Sequence, residues 1–267
     1  MSTALDDLFV KVRSENRAAL IAYIPAGFPS KKACARAIAV LADAGVDAIE
    51  IGFPYSDPIM DGPTIQEAAE IAIKAGTNAA DVLTALQTAS DAGVAAVVMT
   101  YWNPVEKYGV DEFAKAIAAH GGSGVITPDL TIEESEHWLA ATLTHAINPI
   151  YVVAPSTSDA RLAQVAARTG GFVYAASVMG VTGARTTVSG DAAALVSRVR
   201  AVTSLPVCVG LGVSTREQAK SVAAYADGVI VGSAFIKILL TNEGEEIAMN
   251  ALSLLAKELA AGVREGR

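Results

Sequence analysis

The chain has 267 residues, 52% of them hydrophobic, and a formal net charge of −8, with its basic residues scattered rather than clustered. That size suits one large core, and the dispersed, net acidic charge argues against nucleic acid or an anionic membrane as the main partner. The start, Met1 to Asp7, lacks the basic residues and apolar run of a secretory leader, and no stretch approaches the roughly 18 apolar residues of a bilayer span.

Residues 4–13 place Leu5, Leu8, Phe9 and Val12 at helical spacing, which predicts a helix outside the main repeat, covering the lower opening of the fold. From there, short runs rich in Val, Ile and Ala alternate with helical patterns. Strands are predicted at 19–25, 47–53, 95–101, 124–128, 148–154, 171–177, 206–210 and 227–231. Residues 31–44 are a typical helix, with Cys34, Ile38 and Leu41 on one face and Gly45 as its stop signal. The segment 63–92 holds two helices, Thr64–Lys74 and Ala79–Ala92, where one would suffice. Thr131-Ile132-Glu133-Glu134 and Ser214-Thr215-Arg216-Glu217 fit capping boxes and predict helix starts after strands four and seven. Apolar strands alternating with helices imply a parallel sheet, and eight such units predict a closed (β/α)8 barrel, an α/β fold with residues 1–267 as a single domain. Cys34 lies in a predicted helix and Cys208 in a predicted strand, so they form no redox or metal pair, and a reducing cytoplasm is the natural location.

Glu50 is the unusual residue. It lies in Asp47-Ala48-Ile49-Glu50-Ile51-Gly52-Phe53-Pro54, a strand apolar on both faces, and no predicted strand carries an interior Lys or Arg to pair with it. A carboxylate so placed is costly unless paired and otherwise takes up a proton. Hydrogen bonds to neighbouring hydroxyls are the structural alternative. Eleven residues on, Asp61 sits in the loop Pro54-Tyr55-Ser56-Asp57-Pro58-Ile59-Met60-Asp61-Gly62-Pro63, whose prolines fix its path. Two carboxylates in different environments give one proton shuttle and one permanent anion. Taken alone, Asp57 and Asp61 are equally ordinary turn formers.

In a barrel, function gathers at the C-terminal ends of the strands. The loop after strand six, 177–190, is long and rich in glycine and hydroxyls, as a lid over a ligand or a surface loop would be. Strand seven ends in Gly210-Leu211-Gly212 and strand eight in Gly232-Ser233-Ala234. Loops in those two positions form the recurring phosphate site of such barrels. Gly210-Leu211-Gly212 opens like a dinucleotide fingerprint but lacks its third glycine. The three histidines, His120, His137 and His145, fall in predicted helices or at a helix end, leaving no evident metal ligands, and neither Lys107 nor Lys237 is placed on a strand for a Schiff base. Any carbon–carbon chemistry would then run on acid–base catalysis, with no cofactor.

Taken together, these segments resemble the tryptophan synthase alpha-subunit family over nearly the whole chain. The likeness rests on Ile49-Glu50-Ile51-Gly52, Pro54-Tyr55-Ser56-Asp57-Pro58, Asp61-Gly62-Pro63-Thr64-Ile65-Gln66, Met99-Thr100-Tyr101-Trp102-Asn103-Pro104, Gly180-Val181-Thr182-Gly183-Ala184 and Gly232-Ser233-Ala234. It implies retro-aldol cleavage of indole-3-glycerol phosphate to indole and glyceraldehyde 3-phosphate, with Glu50 and Asp61 catalytic. It implies substrate contacts from Tyr101, Tyr174, Thr182, Gly183, Gly210, Gly212, Gly232 and Ser233, the glycines and Ser233 chiefly around phosphate. It also implies a pyridoxal-phosphate-dependent beta subunit in an α2β2 heterotetramer, docked near Pro54, Asp57, Asn103 and Pro104. Leu211 stands where the family often has an aromatic residue, and Met60 where it often has a small one. An indole-3-glycerol-phosphate synthase would need strand lysines, and a histidine-pathway isomerase would need acids ending strands one and five; Tyr23-Ile24-Pro25 and Val152-Val153-Ala154-Pro155 supply neither. A subunit that only activates its partner is the rival of another class.

Overall fold

The computed structural model describes residues 2–176, 190–241 and 244–267. Its strands are β1 (Ala19–Pro25), β2 (Ala48–Gly52), β3 (Ala95–Met99), β4 (Gly124–Ile126), β5 (Asn148–Ile150), β6 (Val152–Val153), β7 (Val173–Ala176), β8 (Val207–Gly210) and β9 (Gly228–Val231). Every pairing is parallel, in the order β5-β4-β3-β2-β1-β9-β8-β7-β6. The two ends of that order, β5 and β6, flank Tyr151 in one extended stretch, so the sheet closes on itself. Tyr151 still accepts a backbone bond from the Tyr174 N–H at 3.2 Å. The predicted strand 148–154 is therefore interrupted rather than absent, and eight extended stretches surround the barrel, which is a TIM barrel as expected. Several strands are shorter than predicted: β2 ends at Gly52 and β3 at Met99, although Phe53 and Thr100 each still donate a backbone bond to the neighbouring strand.

Alternation sorts the strand side chains into two sets. Ile21, Ala48, Val97, Ile126, Ile150, Cys208 and Ile230 pack together inside the barrel, while Leu20, Ile49, Ile51, Val98, Val125, Val209 and Val229 face the surrounding helices. The helices before β4 are α1 (Ala4–Ser14), α2 (Lys31–Asp43), α3 (Pro63–Lys74), α4 (Ala79–Asp91), α5 (Trp102–Tyr108) and α6 (Val110–Ala119). Those after it are α7 (Glu136–His145), α8 (Asp159–Ala166), α9 (Gly190–Arg200), α10 (Arg216–Ala223), α11 (Ser233–Leu240) and α12 (Glu245–Glu265). The extra pair α3 and α4 lies as predicted; the pairs α5/α6 and α11/α12 were not anticipated.

Both predicted capping boxes need correction. Thr131 opens a turn, accepting the Glu134 N–H, and α7 starts only at Glu136. In α10 the cap is Thr215 and its partner Gln218, one residue beyond the predicted pair. The cap of α7, Ser135, makes no side-chain cap bond at all, having Trp138 rather than an acid three residues on.

The predicted N-terminal helix plugs the barrel's lower end. Leu5, Phe9 and Val12 of α1 join the inner apolar set, and the Phe9 ring meets Phe172 edge-on at 5.8 Å. Asn148, at the start of β5, donates to the Thr3 hydroxyl at 2.9 Å and so ties the helix cap to the sheet. With that end closed, the opposite end is the one left to receive a ligand.

Candidate active site

Glu50 occupies the middle of β2, on the inward face with Ala48 and Gly52. It is 1% exposed, and its Oε2 has no hydrogen-bond partner. Burial, with Asp61 adding to it, pushes its carboxyl up to about 8. At neutral pH this acid keeps its proton.

Asp61 comes over the mouth on the loop joining β2 to α3. The loop folds on itself, Ile59 N–H donating to the Asp57 carbonyl and Asp61 N–H to that of Pro58. Gln66 of α3 donates to the Asp61 carbonyl at 2.8 Å. Tyr101, in the segment after β3, completes the brace: its hydroxyl accepts the Met60 N–H at 2.9 Å and donates to Asp61 Oδ2 at 3.4 Å. The Tyr55 ring packs on Tyr101 at 5.2 Å. Asp61 was expected to be the permanent anion of the pair. The fold buries it enough to push its carboxyl up to about 6, against the lowering effect of the Tyr101 hydrogen bond. It remains the stronger acid of the two, so near pH 7 the pair is one carboxylic acid and one carboxylate.

The two acids share a cleft that opens at the barrel mouth. Met60, Ile65, Met99, Val152 and Ile230 give it apolar walls, and none of its lining residues is Lys or Arg. Across from Glu50 lie Gly210, Leu211, Gly212, Gly232 and Ser233. Ser233 is the first residue of α11 and Gly232 its cap, with no side-chain cap bond. That helix start presents unpaired backbone N–H groups to the cleft, a ready seat for an anion.

The fold thus brings Glu50, Asp61, Tyr174, Gly210, Gly212, Gly232 and Ser233 into one cleft. Tyr101 is not among its lining residues; it stands behind Asp61 and holds it. Thr182 and Gly183, with the rest of 177–189, lie outside the described residues. At the mouth, Asp57 is exposed on the loop after β2 with Pro54 half-buried beside it, whereas Asn103, exposed, and Pro104, half-buried, lie in the first turn of α5 rather than on a loop. The Trp102 N–H next to Asn103 is held by the Asp129 carboxylate at 3.0 Å. Ile59, 75% exposed, adds an apolar side chain to the same rim. Sequence reasoning passed over Tyr23, which lines the cleft from β1. Its inward parity with Ala19 and Ile21, near the strand's C-terminal end, was the available signal. Among the described residues no three His, Cys, Asp or Glu side chains gather as a metal-binding group.

A family profile described as tryptophan synthase alpha chain matches residues 9–264. The tryptophan synthase alpha chain of Acidothermus cellulolyticus is 54% identical over 98% of this chain and 97% of its own length. That of Thermobifida fusca is 52% identical over 98% of each. Among solved structures, Mycobacterium tuberculosis tryptophan synthase contains a chain that superposes with a TM-score of 0.93 at 52% identity, over 99% of both. The alpha subunit from Legionella pneumophila keeps a TM-score of 0.90 at 29% identity, over 98% of this chain and 99% of its own.

Proposed function

Since the chain belongs to the tryptophan synthase alpha chain family, and so is an indole-3-glycerol-phosphate lyase of tryptophan biosynthesis, we propose that Glu50 and Asp61 divide the proton work of that cleavage. The reaction breaks the bond between indole C3 and the side chain, giving indole and glyceraldehyde 3-phosphate. Carbon C3 must gain a proton, the ring nitrogen becomes positive, and the hydroxyl on the departing carbon must lose its proton. Glu50, protonated in its buried site, donates to C3 and then, as carboxylate, takes the hydroxyl proton. Asp61, ionised, accepts the indole N–H and stabilises the charge developing there. The observation that carries this reading is the pair itself: a protonated and an ionised carboxyl facing one cleft whose lining holds no cation.

The apolar walls take the indole, and the phosphate rests at Gly212, Gly232 and Ser233 against the start of α11. Tyr174 contributes from β7. Thr182 and Gly183 belong to the same proposal as contacts from the loop beyond it. Each step is a proton transfer, so no cofactor enters. The beta subunit, the partner in an α2β2 assembly, docks on the mouth at Pro54, Asp57, Asn103 and Pro104, where it steadies the Asp61 loop and excludes water. Residues 1–267 form one barrel domain on this reading. A cytoplasmic location fits it; among the described residues no helix is long and apolar enough to cross a membrane.

The test is indole release from indole-3-glycerol phosphate by the chain alone and with a beta subunit. Release alone, rising when the partner is added and rising less in Asp57→Lys, is the expected result. No release under either condition would sink the catalytic assignment. Full stimulation of Asp57→Lys would move the interface elsewhere.

A further inference from the structure

Tyr23 stands between the two halves of the cleft. It lies on β1, which the sheet places between β2, bearing Glu50, and β9, whose end leads into Gly232 and Ser233. Tyr23 pairs with Glu50 across the β1–β2 ladder, and both take the inward parity. On the other side, a Cβ placed on Gly232 would lie 3.3 Å from the Tyr23 Cβ. The ring leans along β2, and a Cβ on Gly52 would collide with the phenol oxygen. Gly52 is two residues beyond Glu50 on the same face, so the phenol sits on the mouth side of that acid.

Tyr23 is only 9% exposed, and its hydroxyl has no hydrogen-bond partner among the described residues. Because Tyr23 lines the cleft, that hydroxyl is free to bond whatever occupies it. The substrate offers a matching group. Three carbons join indole to phosphate; the first carries the hydroxyl that Glu50 deprotonates, and the second carries the other hydroxyl. With the first held at β2 and the phosphate at β9, the second carbon must pass along β1.

Resting on the lyase reading above, we infer that the Tyr23 hydroxyl hydrogen-bonds this second hydroxyl and so selects a glycerol side chain over its deoxy counterpart. The interaction is made by the side chain of one cleft residue and requires neither acid to move. Tyr23→Phe removes a single oxygen and leaves the ring in its seat on Gly52.

The experiment compares kcat/KM for indole-3-glycerol phosphate with that for the analogue lacking only the second hydroxyl, using wild type and Tyr23→Phe, each with the beta subunit. Wild type should prefer the natural substrate by about three- to tenfold, the worth of one neutral hydrogen bond. Tyr23→Phe should lose that factor on the natural substrate alone, bringing the preference close to one. An equal loss on both compounds would reduce Tyr23 to a packing role, and no loss on either would separate its hydroxyl from the substrate; both overturn the inference. Should wild type release indole from neither compound, it is the lyase reading that fails.

Discussion

The two ends of this barrel treat their carboxylic acids in opposite ways. At the lower end, Asp47 and Asp227 precede β2 and β9 and are fully partnered. Asp47 meets Arg17 through two 2.9 Å bonds and accepts the Leu20 N–H. Asp227 accepts the Val207 N–H and binds Arg200 and Arg267, each at 3.0 Å. Burial alone would raise the Asp227 pKa, but the Val207 N–H and the two arginines outweigh it, so the carboxyl is held below its ordinary range. At the upper end, Glu50 and Asp61 have no cation in their cleft and are both raised. The lower acids brace neighbouring strands, and Asp227 stays ionised. The upper acids are left short of partners, which keeps a proton available at neutral pH and costs stability.

Glu50→Gln should break the contrast most sharply. We expect a loss of about 10²–10⁴-fold or more in kcat with the fold intact. The same variant should be more stable than wild type at alkaline pH. Folded Glu50 keeps its proton to about 8, whereas in the unfolded chain it ionises near 4.5, so wild-type stability falls as pH rises between those values. Denaturant unfolding at pH 5 and pH 8.5 should show the gap opening only at the higher pH, by on the order of a few kcal/mol. Activity within a factor of a few of wild type, in folded protein, removes Glu50 from the mechanism.

The pH profile of kcat/KM tests the other member of the pair. The rate should rise as Asp61 ionises near 6 and fall as Glu50 ionises near 8, up to tenfold per unit on each limb. Asp61→Asn should keep the fold, lose most activity and flatten the lower limb of what remains. An unchanged lower limb would mean that another group sets it.

The smallest effect belongs to the lower end. Asp227→Asn should cost about 1–3 kcal/mol of stability, since it weakens an ion-paired acceptor of a backbone N–H, and leave kcat unchanged. Its pH dependence has the opposite sign to that of Glu50: the stabilisation is present above the ordinary carboxylate range and lost as pH falls through the lowered pKa. Equal kcat losses from Asp227→Asn and Glu50→Gln would erase the distinction between the two ends.

Much of this contrast could be read locally. A lone acid in an apolar strand, with no strand cation to pair it, already placed Glu50. The prolines around Asp61 announced a fixed loop, but its neighbours across the sheet did not follow from the loop's composition. Tyr101 is 40 residues away in sequence, and its grip on Met60 and Asp61 exists only because β2 and β3 are adjacent. Asp61 read simply as a permanent anion for the same reason: the burial that raises its pKa comes from other segments. Tyr23 was missed because a tyrosine at the end of an apolar strand is unremarkable until β9 and β2 are known to flank it.

Local periodicity and local cost were therefore settled by the sequence alone. Alternating apolar runs and helical faces specify a strand–helix repeat whatever surrounds them, and a carboxyl among branched aliphatics is unusual in any fold. Closure of the sheet through β5 and β6, the plug of α1, and the gathering of Glu50, Asp61, Tyr23 and Ser233 around one cleft were decided by the tertiary structure. Those arrangements depend on strand register and on contacts between residues far apart in the chain. Hydrogen-bond ladders and the burial of opposed faces set that register, and no single segment carries it.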